Sequence, residues 1–252
     1  MSAEVLAYIA LVCVLAGLVH GALGFGFPLV ATPLVALVID MKSAITLLAP
    51  VTLALVVISA LRGGKLGALV RRFWFMPFGI ALGAWLGTKV LLAAPPEPFL
   101  LVLAAVVLLY LNLDRLGLGN SPLVQRHPAP FGLGFGFAAG VTEAVANVAG
   151  PLLLVHFMLL GLAPTQLVQT LNLCFAVGKG TQVATWAASG GMTPALWMAV
   201  VAFSLPSVAA LFFGMRVRGR IDAATYRRWL RGALWVMAGL LVGQFIASIS
   251  SS

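Results

Sequence analysis

Charge is what this chain most lacks. Only 8% of its 252 residues are Asp, Glu, Lys or Arg, and six of them are acidic. A water-soluble domain carries about a quarter of its residues as charges, so this chain has no means of covering a water-facing surface. Cysteine is nearly absent as well. Cys13 and Cys174 lie in apolar runs, at no spacing that suggests a metal or redox motif, and read as small buried hydrophobes. Regular apolar–polar alternation is missing, which excludes an antiparallel barrel. The opening residues, MSAEVLAYIA, lack the basic start and small-residue cleavage pattern of a secretory signal, so insertion is expected from the mature helices themselves. No His/Asp/Ser, His/Cys or carboxylate cluster has catalytic or metal-ligand spacing. Without a nucleotide-binding loop either, neither an enzyme nor a cofactor is expected.

What remains is 62% hydrophobic, with several segments approaching the ~20 apolar residues that cross a bilayer. An all-α polytopic membrane protein follows. Hydropathy marks six ordinary spans, at 43–61, 73–93, 98–113, 166–187, 193–215 and 229–247. Two apolar regions, 4–39 and 129–162, are too long for one crossing. Each is interrupted near its middle, by HGALGFGFP at 20–28 and by EAVANVAGP at 143–151. Halves of about sixteen residues would reach ~24 Å at 1.5 Å per residue, short of the ~30 Å hydrocarbon core. Each region therefore reads as a pair of half-helices meeting at a Gly/Pro break.

The net charge of +9 is concentrated in three connections. Arg62, Lys65, Arg71 and Arg72 form one group, Arg115 and Arg126 a second, and Arg216, Arg218, Arg220, Arg227, Arg228 and Arg231 a third. This is the positive-inside pattern of cytoplasmic loops. No aromatic–basic platform accompanies the arginines, so nucleic acid is not the expected partner. With 62–72, 114–128 and 216–231 inside, region 4–39 begins and ends outside and region 129–162 begins and ends inside. The two halves then share one element order, a broken pair followed by three spans, in opposite orientations. The first is 1–113, the linker 114–128 and the second 129–252. Residual likeness supports duplication: GLVHGALGFGFPLVATPLVALV (17–38) aligns with GFAAGVTEAVANVAGPLLLVHF (136–157), matching glycines 17 and 21 to 136 and 140. MKSAITLLAPV then aligns with PTQLVQTLNLC, and RGGKL with SGGMT. Inverted repeats with interrupted helices are the mark of secondary transporters.

The doubled motif order covers nearly the whole chain. It consists of a Gly-rich broken segment, a proline shortly after it, an A/L-x-T/Q-x-x helix start and a GG turn. In this it resembles the sulfite exporter TauE/SafE family, also called the toluene sulfonate uptake permeases. The resemblance implies carriage of small sulfur-containing or carboxylated anions (sulfite, sulfonates, sulfoacetate) across a bacterial inner membrane, with no chemistry on the cargo. The chain departs from the family pattern at both breaks, GFGFP and EAVANVAGP standing where a run of three glycines and P-x-L is common.

Within this apolar background a few polar residues stand out. From Ala144 to Met215, Lys179 is the only charged residue. Gln169, Asn172, Lys179 and Gln182 fall on one stripe of a 3.6-residue helix, and such a stripe inside a membrane points at protein or a wet cavity. The aligned residues of the first half are Thr46, Ala49, Val56 and Ser59. An ammonium at mid-bilayer costs ~2.5–3.5 kcal/mol on insertion scales. A permanent pair with Glu143, snorkelling to an interface and contact with a transported anion are the three ways to offset it. Helix N-termini bind anions, so Gly24, Gly26 and Pro28 at one break, with Asn147, Gly150 and Pro151 at the other, would form an anion cradle near the midplane; close helix packing is the competing use of the glycines. Glu143 and His20 are the candidates for proton coupling, with structural pairing the alternative for each. Trp74, Trp197, Trp229 and Trp235 fall near span ends, as interfacial anchors do. The expected function is a secondary transporter of a small anion by alternating access, proton- or sodium-coupled, with export the expected direction. A passive channel is the alternative, and a homo-oligomer is compatible with the sequence.

Overall fold

The computed structural model describes residues 2–62, 66–93, 121–162 and 164–218, together with positions 220, 225, 228, 229, 232, 235, 236, 239 and 243. Every regular element among them is an α-helix: α1 (Ala3–Leu23), α2 (Phe27–Val35), α3 (Met41–Arg62), α4 (Leu66–Phe73), α5 (Phe75–Ala93), α6 (Pro122–Arg126), α7 (Pro128–Ala146), α8 (Gly150–Leu159), α9 (Pro164–Ala188) and α10 (Pro194–Arg218). The spans expected at 43–61, 166–187 and 193–215 correspond to α3, α9 and α10. The span expected at 73–93 corresponds to α5, with α4 a separate short helix ahead of it. The span expected at 98–113 lies outside the described residues, as does most of 229–247, whose described positions are helical. The basic linker is partly folded, since α6 and the first residue of α7 lie within 114–128.

Five of these helices, α1, α3, α5, α7 and α10, are long and apolar enough to cross a membrane. Their outward faces carry large apolar side chains, among them Leu11, Phe78, Met198 and Leu205. Where they touch, glycines such as Gly17, Gly21, Gly83 and Gly140 bring backbones together, because lipid is as apolar as leucine and close packing, not burial, holds helices together there. Several buried hydroxyls are satisfied within their own helices. Thr52, Thr88, Thr170 and Ser207 each donate to the carbonyl four residues earlier, at 2.6–2.8 Å.

Both long apolar regions are broken, but into unequal arms. The first divides into 21 and 9 residues and the second into 19 and 10, rather than into halves of about sixteen. An arm of nine residues reaches about 14 Å, so it turns back instead of crossing. The Tyr8 hydroxyl near the start of α1 donates to the carbonyl of Leu34 at the end of α2, 3.2 Å away. The Ser121 N–H ahead of α7 donates to Leu159 O at the end of α8, at 2.9 Å. Each pair is thus a hairpin that returns to the side it entered.

The backbone reason for each break is a left-handed residue. Gly24 (φ 87°) ends α1 with its N–H on His20 O, and Gly26 (φ 107°) precedes α2, which has Pro28 in its first turn. Asn147 (φ 62°) ends α7 with its N–H on Glu143 O, and it is the only non-glycine with positive φ among the described residues. Asparagine and glycine are the residues that tolerate this conformation best.

Packing is reciprocal between the halves. α1 runs parallel to α10, α7 runs parallel to α5, and α3 and α9 meet between these pairs. A Cβ on Gly17 would lie 2.5 Å from Ser207 O of α10, and one on Gly136 would lie 3.0 Å from Met76 O of α5. Four residues on, Gly21 abuts the Leu211 carbonyl and Gly140 the Ile80 carbonyl. In return, Gly214 of α10 abuts the Leu18 carbonyl and Gly83 of α5 the Phe137 carbonyl. Gly17 and Gly21 thus meet the backbone of α10 much as Gly136 and Gly140 meet that of α5.

The alignment does not hold through the breaks. It sets Glu143 and Asn147 opposite Gly24 and Pro28, whereas the left-handed cap that matches Gly24 is Asn147. Counting back four residues from each cap, Glu143 then matches His20. The cause is one extra helical turn in α7 between its glycine contacts and its end.

Candidate functional site

α9 is 25 residues long, yet its polar stripe keeps it out of the set apolar enough to span by hydropathy alone. It packs against α3, α5, α7 and α8, and Asn172, Lys179 and Gln182 are fully buried. The stripe thus faces protein, and snorkelling of Lys179 to an interface is excluded. One helix carries polar groups to both breaks, Asn172 eight residues from its start and Lys179 nine from its end.

At the second break the Lys179 ammonium lies 2.9 Å from Glu143 Oε1. The approach is off-line for a directed hydrogen bond, so this contact is an ion pair. The ammonium also donates to Asn147 Oδ1, to Gln182 Oε1 at 2.8 Å and to the Glu143 carbonyl at 3.3 Å. Glu143 is fixed on its other oxygen, Oε2, which accepts the Ala149 N–H at 2.8 Å. Gln182 Nε2 donates to Ala144 O at 2.8 Å. Asn147 reaches the other hairpin, its Nδ2 donating to Thr32 Oγ1 on α2 at 2.7 Å.

At the first break His20 is engaged on both ring nitrogens. Nδ1 accepts the Phe27 N–H at 3.4 Å. The proton is therefore on Nε2, which faces Asn172 Oδ1 at 3.2 Å and Ser59 Oγ at 3.1 Å. Asn172 Nδ2 donates to Gly24 O at 2.6 Å and to Val168 O at 2.8 Å. A second ring proton would point at the Phe27 N–H, so this arrangement holds a neutral imidazole. Arg218, at the end of α10, lies over the same turn: a Cβ on Gly24 would be 2.5 Å from its guanidinium nitrogen.

Of the residues singled out in the sequence, Lys179, Asn147, Gln182 and Glu143 come together at one break, and Asn172, His20 and Gly24 at the other. Gly26 caps α2 in the first break, and Gln169 is half-buried on the stripe. Of the three ways to offset the Lys179 charge that the sequence left open, the pair with Glu143 is the one present. Glu143 neutralises the ammonium, and protein acceptors occupy its donors. Thr32, Ser59 and Arg218 escaped sequence reasoning. Ser59 carried a signal, being aligned with Gln182; Thr32 looked like any membrane-helix threonine, and Arg218 like a loop charge. His156 is fully buried without a hydrogen-bond partner among the described residues, its ring centroid 4.9 Å from that of Phe135. Among the described residues no three His, Cys, Asp or Glu side chains converge as metal ligands would.

Paired broken hairpins around a buried charge define the class: a multi-pass membrane protein with a polar centre inside its helix bundle. Residues 9–242 match the model of the sulfite exporter TauE/SafE family, and the chain belongs to that family. It is accordingly a membrane transporter of sulfur anions such as sulfite, a family of transporters and not of enzymes. The comparisons with curated proteins and with solved structures found no match.

Proposed function

We propose that this chain carries sulfite or a related sulfur oxyanion by alternating access, and that the Lys179–Glu143 pair is the switch that couples anion movement to a proton. The observation that carries the reading is the buried ion pair at a helix break. Removing two charges from water costs several kcal/mol per ion, and an apolar pair of similar volume is often no less stable. A pair that adds little stability is well suited to being opened. An anion arriving at Lys179 places like charge beside Glu143, which favours protonation of the carboxyl. Protonated Glu143 releases the ammonium to the anion; loss of the proton restores the pair and expels the cargo. His20, with both nitrogens committed to the first break, holds that turn in place.

The reciprocal packing of α1 on α10 and α7 on α5 supports reading the halves as inverted repeats that rock about α3 and α9. The basic residues near the ends of α3 and α10 support reading those ends as cytoplasmic, in an inner membrane.

The test is uptake of labelled sulfite into proteoliposomes with and without a pH gradient. The wild type should show saturable uptake accelerated by a proton gradient and by sulfite on the opposite side. Glu143→Gln should abolish the response to the gradient. Uptake that never saturates and shows no counterflow would establish a channel. No uptake of sulfite, sulfoacetate or taurine would overturn the reading.

A further inference from the structure

The two breaks differ in their balance of charge. At the second, the Lys179 ammonium and the Glu143 carboxylate cancel. At the first, His20 is neutral by its hydrogen bonds, and Asn172 and Ser59 carry no charge. Yet Arg218 brings a guanidinium against Gly24, and among the described residues no carboxylate lies within ion-pair distance of it. Arg218 thus sets a cation with no carboxylate partner among the described residues against the first break.

Arg218 is not a fully solvated loop charge. It is half-buried and folded back over the turn between α1 and α2, while Gly24 leaves room for it by having no side chain. Arg62, in another of the basic groups, stacks instead on the ring of Phe212 at 4.3 Å. The two arginines thus have different surroundings.

We propose that Arg218 is an anion-binding residue, and that the first break is where the sulfur oxyanion rests in this conformation, one stop away from Lys179. A planar guanidinium presents paired N–H donors that match two oxygens of a sulfite or sulfonate group, which a lysine cannot do. Asn172 and Lys179 are seven residues apart on α9, about 10 Å along its axis. An anion leaving Arg218 would therefore travel along the polar stripe to the second break, where Glu143 must first release the ammonium. The inference rests on the transport reading for its cargo, and its test reads binding rather than transport so that the two can fail separately.

The experiment is equilibrium binding of sodium sulfite to the purified full-length protein in a neutral detergent, read as a shift in melting temperature and as a calorimetric affinity. Wild type should bind, Arg218→Gln should bind at least tenfold more weakly, and Arg62→Gln should bind like wild type. Arg218→Lys keeps the charge and the fold but loses the fork, and should weaken binding severalfold. Equal affinity of wild type and Arg218→Lys, or of wild type and a folded Arg218→Gln, overturns the inference. So does an effect of Arg62→Gln as large as that of Arg218→Gln. Phosphatidylglycerol added in place of sulfite separates a lipid phosphate from the free anion. An Arg218-dependent shift with the lipid and none with sulfite also overturns it. Sulfite binding through Arg218 with no sulfite uptake would sustain the site and defeat the transport reading instead.

Discussion

At the scale of single residues, Lys179 shows how a costly group is kept. Its cation is fully buried, and its bonds go to one carboxylate, two amide oxygens and a backbone carbonyl. Removing one partner of a buried ion pair leaves the other uncompensated, at about 3–5 kcal/mol. Lys179→Met should therefore lower stability by that order in a detergent melt, while the double variant with Glu143→Gln should regain most of it. Neither should carry sulfite. If Lys179→Met transported normally, the ammonium would be a strut and no more. Asp40 gives a second residue-scale prediction, outside the bilayer. It accepts the Ser43 N–H at 2.9 Å at the start of α3, and its bonds to the Ser43 side chain and backbone hold its pKa below the ordinary carboxylate value. A depressed folded pKa contributes stability above the unfolded pKa and loses it as pH falls through the folded one. Asp40→Ala should cost about 1 kcal/mol at neutral pH and close the gap to wild type in acid, as stability measured across pH would show.

Elements are held in register by glycine. The contacts of α7 on α5 and of α1 on α10 place backbone where any side chain would stand, and a Cβ on Gly140 would collide with the Ile80 carbonyl. Gly140→Ala should separate the helices and destabilise by about 1–3 kcal/mol, the usual cost of overpacking. Gly134 lies on the same helix with nothing within 4 Å of its Cβ position. Gly134→Ala should be neutral, or stabilising by up to about 1 kcal/mol through helix propensity. Comparing the two melting temperatures separates packing from propensity. The same glycines were the part of the repeat legible in the sequence, because a backbone contact tolerates no other residue. The breaks were legible as positions, since Gly, Asn and Pro disrupt a helix wherever they cluster. Their partners were not. The extra turn of α7, which sets Glu143 against His20, leaves no mark in composition.

For the whole molecule, the charge pattern predicts sidedness, and the parallel packing of α1 with α10 and of α5 with α7 is consistent with it. Cys13 and Cys174 are buried, so single introduced cysteines can report topology. Ser189→Cys should react with a membrane-impermeant maleimide in intact cells, and Arg72→Cys only after permeabilisation. Labelling of both from one side would refute the orientation.

The sequence by itself determined the solvent, the helical class, the breaks and the stripe on α9, because each follows from local composition: too few charges for water, apolar runs of bilayer length, residues that cannot continue a helix, and a period of 3.6. The tertiary structure alone decided which charges meet. Glu143 and Lys179 lie 36 residues apart and His20 and Asn172 lie 152 apart. Only the packing of one hairpin tip against another, across the shared helix α9, sets the few ångströms that bring these partners together.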